Sequence, residues 1–180
     1  ESFKLKTPQK SEIIPVLRKG RSVIQIDSIP QVCDFIYVSS NDIVTNCFAV
    51  SYKGFLYFRS GVMVKYKSKN DKAESVREAN TFARVIMGGE HFYYTEYEFV
   101  NQWSAGLAAN AGAVGSAMYN GLYDQKGVVW DFKKEEFDIF KSCKNYNLFL
   151  EVHDKSNIKN CKGGSRPNLN DVRSLIKRIK

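Results

Sequence analysis

The stretch NTFARVIMGGEHFYYTEYEF, residues 80–99, decides the predicted fold because it contains a strong β-hairpin signal. An apolar run ends at Met87, Gly88 and Gly89 follow, and an aromatic run begins at His91. Glycine can take the positive φ angles that a type I′ turn requires at both of its central positions. The sequence therefore predicts two antiparallel strands joined by a tight turn at these two glycines.

Strand patterns also precede this hairpin, from residue 23 onward. The runs RSVIQID, VCDFIYV and NCFAVSY are short, rich in β-branched and aromatic residues, and separated by turn-forming residues. Three such strands in succession favour a meander, in which each strand pairs with the next one along the chain.

A second hairpin signal lies in FAVSYKGFLYFRSG. A two-residue turn at Lys53 and Gly54 would pair Tyr52 with Phe55. The next run, GVMVKY, is predicted to continue as another strand. The polar and highly charged KSKNDKAES is predicted as a solvated loop.

Residues 101–123 form an uncharged insert rich in glycine and alanine. The insert is long enough to span a membrane but too weakly hydrophobic to insert alone. Its large aliphatic side chains are Leu107, Val114, Met118 and Leu122. Gly112 and Gly115 are not followed by the lysine of a phosphate-binding loop. We predict an irregular or partly helical crossover, because each interior glycine costs a helix roughly 0.5–1 kcal/mol; a helix packed closely through its small residues is the alternative.

The last third of the chain favours one strand and then helices. GVVWDF is predicted as the strand, and KKEEFDIFKSCKNYNLFLEV as one amphipathic helix or two short ones. The apolar stripe of this segment consists of Phe137, Phe140, Tyr146, Phe149 and Leu150. Asn168 or Asn170 can cap a final helix. The apolar face of that helix is Leu169, Val172, Leu175, Ile176 and Ile179.

These patterns predict an α+β fold, an antiparallel sheet or small partly open barrel with C-terminal helices packed on one face. At 180 residues and 43% apolar, the chain is long enough for one ordinary domain. We expect a single domain over 1–180, with a β-rich part at 23–100, the insert at 101–123, and a strand plus helices at 127–180. The predicted core is Phe48, Val50, Tyr57, Phe82, Ile86, Trp130, Phe140, Phe149, Leu175 and Ile176.

The charge balance favours an acidic partner without naming one. The 27 lysines and arginines exceed the 19 acidic residues and give a net charge of +8. Short basic clusters are scattered along the whole chain, as is typical of solvated surface, whereas a nucleic-acid footprint would gather them on one face. We expect an acidic protein or an envelope component as partner rather than nucleic acid, and no cofactor. We also expect that the chain is not itself an integral membrane protein.

A cysteine hydrolase is one alternative function, because it needs a thiolate activated by a nearby imidazole. Cys143 or Cys161 with His153 would be the pair. Cys143 falls near the apolar helical stripe, where a core or disulfide role is the commoner one. Cys161 lies in a polar loop. A binder of nucleic acid or anionic lipid through the basic clusters is the other alternative.

Metal and acid–base chemistry find little support in the sequence. His91 and His153 belong to different elements, and no cysteine or carboxylate stands at ligand spacing from them. Glu96 and Glu98 alternate along the strand of the Gly88–Gly89 hairpin, which is typical of the solvated side of a sheet. We therefore predict no catalytic, cofactor-binding or metal-binding residues.

The order of elements resembles that of uncharacterised exported proteins of Bacteroidetes-type bacteria. The resemblance rests on NTFARVIMGGEHFYYTE, the Gly/Ala-rich insert, EEFDIFKSCKNYNLFL and NDVRSLIKRI. It implies a cleaved signal, a periplasmic or surface location and no known activity. The chain starts at Glu1 rather than methionine, so we expect a processed product. Together these features favour a non-catalytic exported cell-envelope protein that binds or supports another component through its aromatic strands and basic helix.

The four cysteines test the expected compartment. Without a Cys-x-x-Cys spacing, two disulfides and four buried thiols both remain open. Export would permit disulfides, and we predict a bridge from Cys143 to Cys161 that closes a modest loop. Cys33 would lie opposite Cys47 with a three-residue turn but opposite Phe48 with a four-residue turn, so we predict these two as buried thiols.

Overall fold

The computed structural model describes residues 12–19, 22–109, 124–162 and 165–179. The strands in those ranges are β1 Ile13–Lys19, β2 Ser22–Gln25, β3 Val32–Tyr37, β4 Ala49–Tyr52, β5 Phe55–Arg59, β6 Glu74–Ser75, β7 Phe82–Arg84, β8 Met87–Gly88, β9 Phe92–Asn101, β10 Asp124–Asp131 and β11 Glu136–Ile139. The α-helices are α1 Ser60–Lys65, α2 Gln102–Ala109, α3 Cys143–His153 and α4 Leu169–Ile179. Short 3₁₀ helices span Lys69–Asp71 and Lys155–Asn157. None of the helices in this part of the chain is long and apolar enough to cross a bilayer.

The strands form two antiparallel sheets. The first has the order β2-β1-β3-β7-β5-β4, and the second has the order β11-β10-β9-β6 with β8 also paired to β9. Neither sheet closes into a barrel. The predicted α+β fold is thus confirmed in its open antiparallel form, with helices at the C-terminal end.

The two sheets pack against each other through a shared apolar layer. Phe58 and Ala83 of the first sheet belong to one buried cluster with Phe99, Val128 and Phe137 of the second. The Phe58 and Phe137 rings meet edge to face, with centroids 5.2 Å apart. Aromatic pairs in this geometry add to the stabilisation that burial alone provides.

Helices α3 and α4 cover the other face of the second sheet. Phe92 and Tyr94 of β9 belong to a second buried cluster with Leu150 of α3 and Ile176 of α4. The predicted apolar face of α4 is confirmed, because Val172, Leu175 and Ile176 are buried and Ile179 packs against the same cluster. Asn168, one of the two predicted caps, accepts a hydrogen bond from the Asn170 backbone N–H at 2.8 Å.

The Lys53–Gly54 hairpin is confirmed. Lys53 has φ 48° and Gly54 has φ 80°, as a type I′ turn requires. Tyr52 pairs with Phe55, and the ladder continues to the pairing of Val50 with Tyr57.

The Gly88–Gly89 hairpin is confirmed, but its predicted type I′ turn is wrong. Gly88 pairs with Tyr93, the Gly89 N–H donates to the Phe92 carbonyl at 3.1 Å, and neither glycine has a positive φ. Gly88 serves a different purpose, because a Cβ there would lie 2.8 Å from Cε1 of Tyr93. The glycine makes room for an aromatic ring rather than for a left-handed turn.

The predicted three-stranded meander is wrong. Strand β1, which lies before the predicted β-rich part, separates β2 from β3, and β7 and β5 separate β3 from β4. Cys33 consequently lies opposite Phe82, not opposite Cys47 or Phe48. The pairing of β3 with β7 joins segments far apart in sequence, and local strand patterns carry no information about such partners.

Two other element predictions are corrected. GVMVKY is not a strand, because α1 spans Ser60–Lys65. There the Gly61 N–H donates to the Ala79 carbonyl at 2.9 Å, and a Cβ on Gly61 would lie 2.7 Å from that oxygen. Phe137 is not helical, because it lies in β11 opposite Trp130, and α3 begins only at Cys143 after the Ser142 cap.

The predicted core is largely correct. Six of its ten side chains are buried: Tyr57, Phe82, Phe140, Phe149, Leu175 and Ile176. Partly buried are Phe48, Val50, Ile86 and Trp130.

Within the predicted insert, Gln102–Ala109 forms α2, whereas residues 110–123 lie outside the described residues. The single-domain assignment stays a prediction.

Candidate functional site

A disulfide joins Cys143, at the start of α3, to Cys161 in the following loop, with Cα atoms 5.6 Å apart. Asn147 holds the same loop, because its side chain accepts from the Lys159 N–H at 2.9 Å and donates to the Lys159 carbonyl at 2.8 Å. The bridge and the amide thus attach the loop to α3. Cys33 and Cys47 are free thiols, buried and partly buried respectively.

Reducing this disulfide is expected to lower the free energy of unfolding by about 3 kcal/mol, because an open loop of this length gives the unfolded chain more conformations. Urea unfolding with and without reductant measures the loss. The variant Cys143→Ser/Cys161→Ser is the control, since its stability should no longer respond to reductant. A reductant effect of equal size in that variant would assign the loss to another group.

The hydrolase alternative needs a free thiolate, but the sulfur atoms proposed for it form a disulfide. Both candidate sulfurs, Cys143 and Cys161, are bonded to each other. Burial raises the pKa of the Cys33 thiol to about 12, with a further contribution from Asp34, so this cysteine stays protonated at neutral pH. Neither Cys143 nor Cys161 is therefore present as a thiolate that His153 could activate.

His153 lies at the end of α3 in an aromatic environment. Its ring centroid is 4.4 Å from that of Phe149 and 5.5 Å from that of Phe92. Burial lowers its pKa, whereas the nearby carboxylate of Asp131 acts in the opposite direction and His91 adds to the lowering. The fold therefore brings both histidines into one neighbourhood. In the described ranges, however, no group of three or more His, Cys, Asp or Glu side chains could hold a metal ion.

A cavity of about 280 Å³ lies between the Lys69–Asp71 turn, β11 and the first turns of α3. Its walls carry both charged and apolar side chains, among them Asn70, Asp71, Glu136, Asp138, Asn145 and Leu148. The carboxylates and side-chain amides could form hydrogen bonds with a small polar molecule, and the leucine would give it an apolar contact.

Asp71 explains why this part of KSKNDKAES is not the solvated loop that the sequence predicted. Its Oδ2 accepts from the Ile139 N–H at 2.9 Å, and its Oδ1 accepts from Lys141 Nζ at 3.0 Å and Asn145 Nδ2 at 3.4 Å. Burial raises its pKa in spite of these donors. Asp71 thus ties three elements together, and Ser68 and Glu74 of the same segment are also buried.

Glu136 is a second carboxylate of the cavity whose pKa is raised. Burial raises its pKa, and the charge of Asp138 on the same face of β11 raises it further. Lys134 opposes this effect, although it is itself paired with Asp138 at 2.9 Å.

Replacing Asp138 by asparagine is expected to lower the pKa of Glu136, because a like charge is removed and Lys134 is freed to interact with Glu136. Carboxyl chemical shifts followed through an NMR pH titration measure this change. Asp131→Asn is the matched control and should lower the Glu136 pKa less, because Asp131 acts on Glu136 more weakly than Asp138 does. An unchanged Glu136 pKa in Asp138→Asn would contradict the expectation.

The prediction that the alternating glutamates of β9 face solvent is wrong for Glu96, which is buried. Helix α4 covers it, and Arg173 donates to its carboxylate from Nε at 2.7 Å and from Nη2 at 2.6 Å. The Tyr94 hydroxyl donates to the same carboxylate at 2.6 Å. Glu98, by contrast, is exposed. Arg173 of the basic helix therefore pairs with a buried carboxylate of the fold.

Three exposed aliphatic side chains belong to the β1–β2 hairpin. Leu17, Val23 and Ile24 are 46%, 54% and 50% exposed. Strand β2 is an edge of the first sheet and pairs only with β1 in the part of the chain that the structure describes. The sequence did not predict this surface, because β1 was not recognised as a strand. The signal that could have found it is the apolar run IIPVL before the basic residues.

No known protein family, curated protein or solved structure matches the chain. No residue role can therefore be transferred from a relative. The roles given to residues of this chain come from its own contacts, burial and charges.

Proposed function

We propose that the chain is an exported cell-envelope protein that acts by binding another envelope component rather than by catalysing a reaction. The observation that carries this proposal is the Cys143–Cys161 disulfide. Disulfides persist in secreted, periplasmic and surface proteins and are rare in the cytosol. The resemblance to uncharacterised exported proteins of Bacteroidetes-type bacteria points to the same compartments.

A binding role is supported by the way the fold uses its reactive and exposed groups. The two sulfurs of the hydrolase alternative are bonded to each other, and Asp71 and Glu96 are held by donors inside the fold. The apolar side chains of the β1–β2 hairpin are instead exposed, and exposed apolar surface is typical of interaction sites.

Fractionation of the native cells tests the proposal. We expect the protein in the periplasmic or surface fraction, with the Cys143–Cys161 crosslink present in peptides analysed by mass spectrometry without reduction. Cys33 is the internal control, because a buried thiol should react with alkylating reagents only after denaturation. A cytoplasmic protein with four free thiols would overturn the proposal.

A further inference from the structure

The β1–β2 hairpin exposes apolar side chains on both of its faces. Leu17 lies opposite Ile24 in the ladder, so these two share one face. Val23 is the neighbour of Ile24 along β2 and therefore lies on the other face. All three side chains are about half exposed, so neither face of the hairpin is covered at these positions.

The hairpin is also basic. Residues 13–26 include Arg18, Lys19 and Arg21 but no aspartate or glutamate. Arg18 and Lys19 belong to the end of β1, where they pair with Val23 and Ser22. Basic residues thus occur at the same end of the ribbon as the exposed apolar side chains.

We propose that the β1–β2 hairpin docks on an anionic phospholipid surface, a partner that deepens the proposed function and rests on it. Apolar side chains on both faces of a ribbon suit a medium that surrounds the ribbon, as the headgroup and acyl region of a bilayer does. Arg18, Lys19 and Arg21 supply the positive charge that an anionic leaflet attracts. The pairing of apolar insertion with basic residues is the combination that holds peripheral proteins at such surfaces.

Two other occupants fit these observations less well. A strand added to the free edge of β2 would satisfy its backbone but would leave Val23 and Ile24 exposed above and below the new ladder. A second copy of the chain, paired edge to edge, would bring two hairpins of the same net positive charge together, and like charges repel.

Flotation with phosphatidylcholine vesicles, with and without phosphatidylglycerol, tests the proposal. We expect the wild-type protein to bind only the vesicles that contain phosphatidylglycerol, and binding to weaken as salt increases. The variant Val23→Ser/Ile24→Ser should bind about tenfold more weakly, because two inserted aliphatic side chains are lost. Its circular dichroism spectrum and melting temperature should match those of the wild type, since both side chains are half exposed.

Matched variants separate the hairpin from the rest of the surface. Leu148→Ser/Val152→Ser removes two exposed aliphatic side chains from α3 and should leave affinity within about twofold of the wild type. Arg18→Gln/Lys19→Gln/Arg21→Gln should weaken binding about fivefold for each charge removed. Neutralising three exposed lysines elsewhere, Lys155, Lys159 and Lys162, should weaken binding less.

Three results would overturn the docking proposal. They are the absence of binding to either vesicle type, equal losses in the hairpin and α3 variants, and a wild-type dimer that Val23→Ser/Ile24→Ser converts to a monomer without any vesicle binding. An envelope protein that fails to bind vesicles would overturn this inference alone. A cytoplasmic protein that binds them through the hairpin would overturn the proposed function alone.

Discussion

Replacing Lys126 by methionine is expected to reduce the free energy of unfolding by about 3–5 kcal/mol, because it leaves a buried carboxylate without its counter-ion. Lys126 Nζ lies 2.5 Å from Glu74 Oε2, and the two side chains are only 7% and 1% exposed. Among the described residues, Asn101 Nδ2 also donates to this carboxylate, at 3.5 Å from Oε1, but as a neutral amide it cannot neutralise the charge. Urea unfolding of the variant measures the loss.

The double variant Glu74→Met/Lys126→Met distinguishes the net contribution of the ion pair to stability from the cost of leaving one buried charge unpaired. Its stability should return to within about 1 kcal/mol of the wild type, because replacing a whole buried ion pair by apolar side chains is often neutral. Lys134→Met is the matched control and should cost less than about 1 kcal/mol. Lys134 is 38% exposed, although it too pairs with two carboxylates, Asp131 and Asp138. Equal losses in Lys126→Met and Lys134→Met would show that burial of the pair has no energetic consequence.

Replacing Phe137 by alanine is expected to cost about 3–5 kcal/mol, because it opens a cavity between the two sheets. Phe137 is fully buried, and its ring centroid lies 4.6 Å from that of Trp130 and 5.2 Å from that of Phe58. The variant loses both the transfer free energy of the ring and contacts that the surrounding side chains cannot fully replace. Thermal and urea unfolding should both detect the loss.

Phe55→Ala is the control for Phe137→Ala, since it removes the same side chain from the exposed end of β5. Phe55 is 38% exposed, and the Arg84 guanidinium lies 5.2 Å from its ring centroid. We expect a cost of about 1 kcal/mol or less. A comparable cost for the two variants would contradict the placement of Phe137 at the centre of the shared apolar layer.

The elements that the sequence determined are those whose cause is local. The apolar face of α4 follows from residues three and four positions apart, and the Lys53–Gly54 turn follows from two adjacent residues. Both are found in the structure. The antiparallel α+β architecture followed in the same way from short strand patterns and turn residues. The pairing of Cys143 with Cys161 was predicted from the sequence, and the structure contains this bridge.

The tertiary structure alone decided which strands are neighbours and which charged residues are buried. Strand order depends on pairings such as Val32 with Ala83, which no local pattern encodes. The β1–β2 hairpin surface could not be predicted for the same reason, since recognising it requires β1 as the partner of β2. Phe137 fits a helical stripe in the sequence, yet pairing with Trp130 makes it a strand residue.

Glu74 and Glu96 show the physical reason most clearly. Both lie in polar or alternating sequence that is typical of solvated positions, yet each is 1% exposed. The cations that make their burial tolerable, Lys126 and Arg173, are 52 and 77 residues away along the chain. A buried carboxylate is stable only when such a partner is present. The sequence around each glutamate therefore specified its charge, and only the fold, by bringing a distant cation to it, decided that it could be buried.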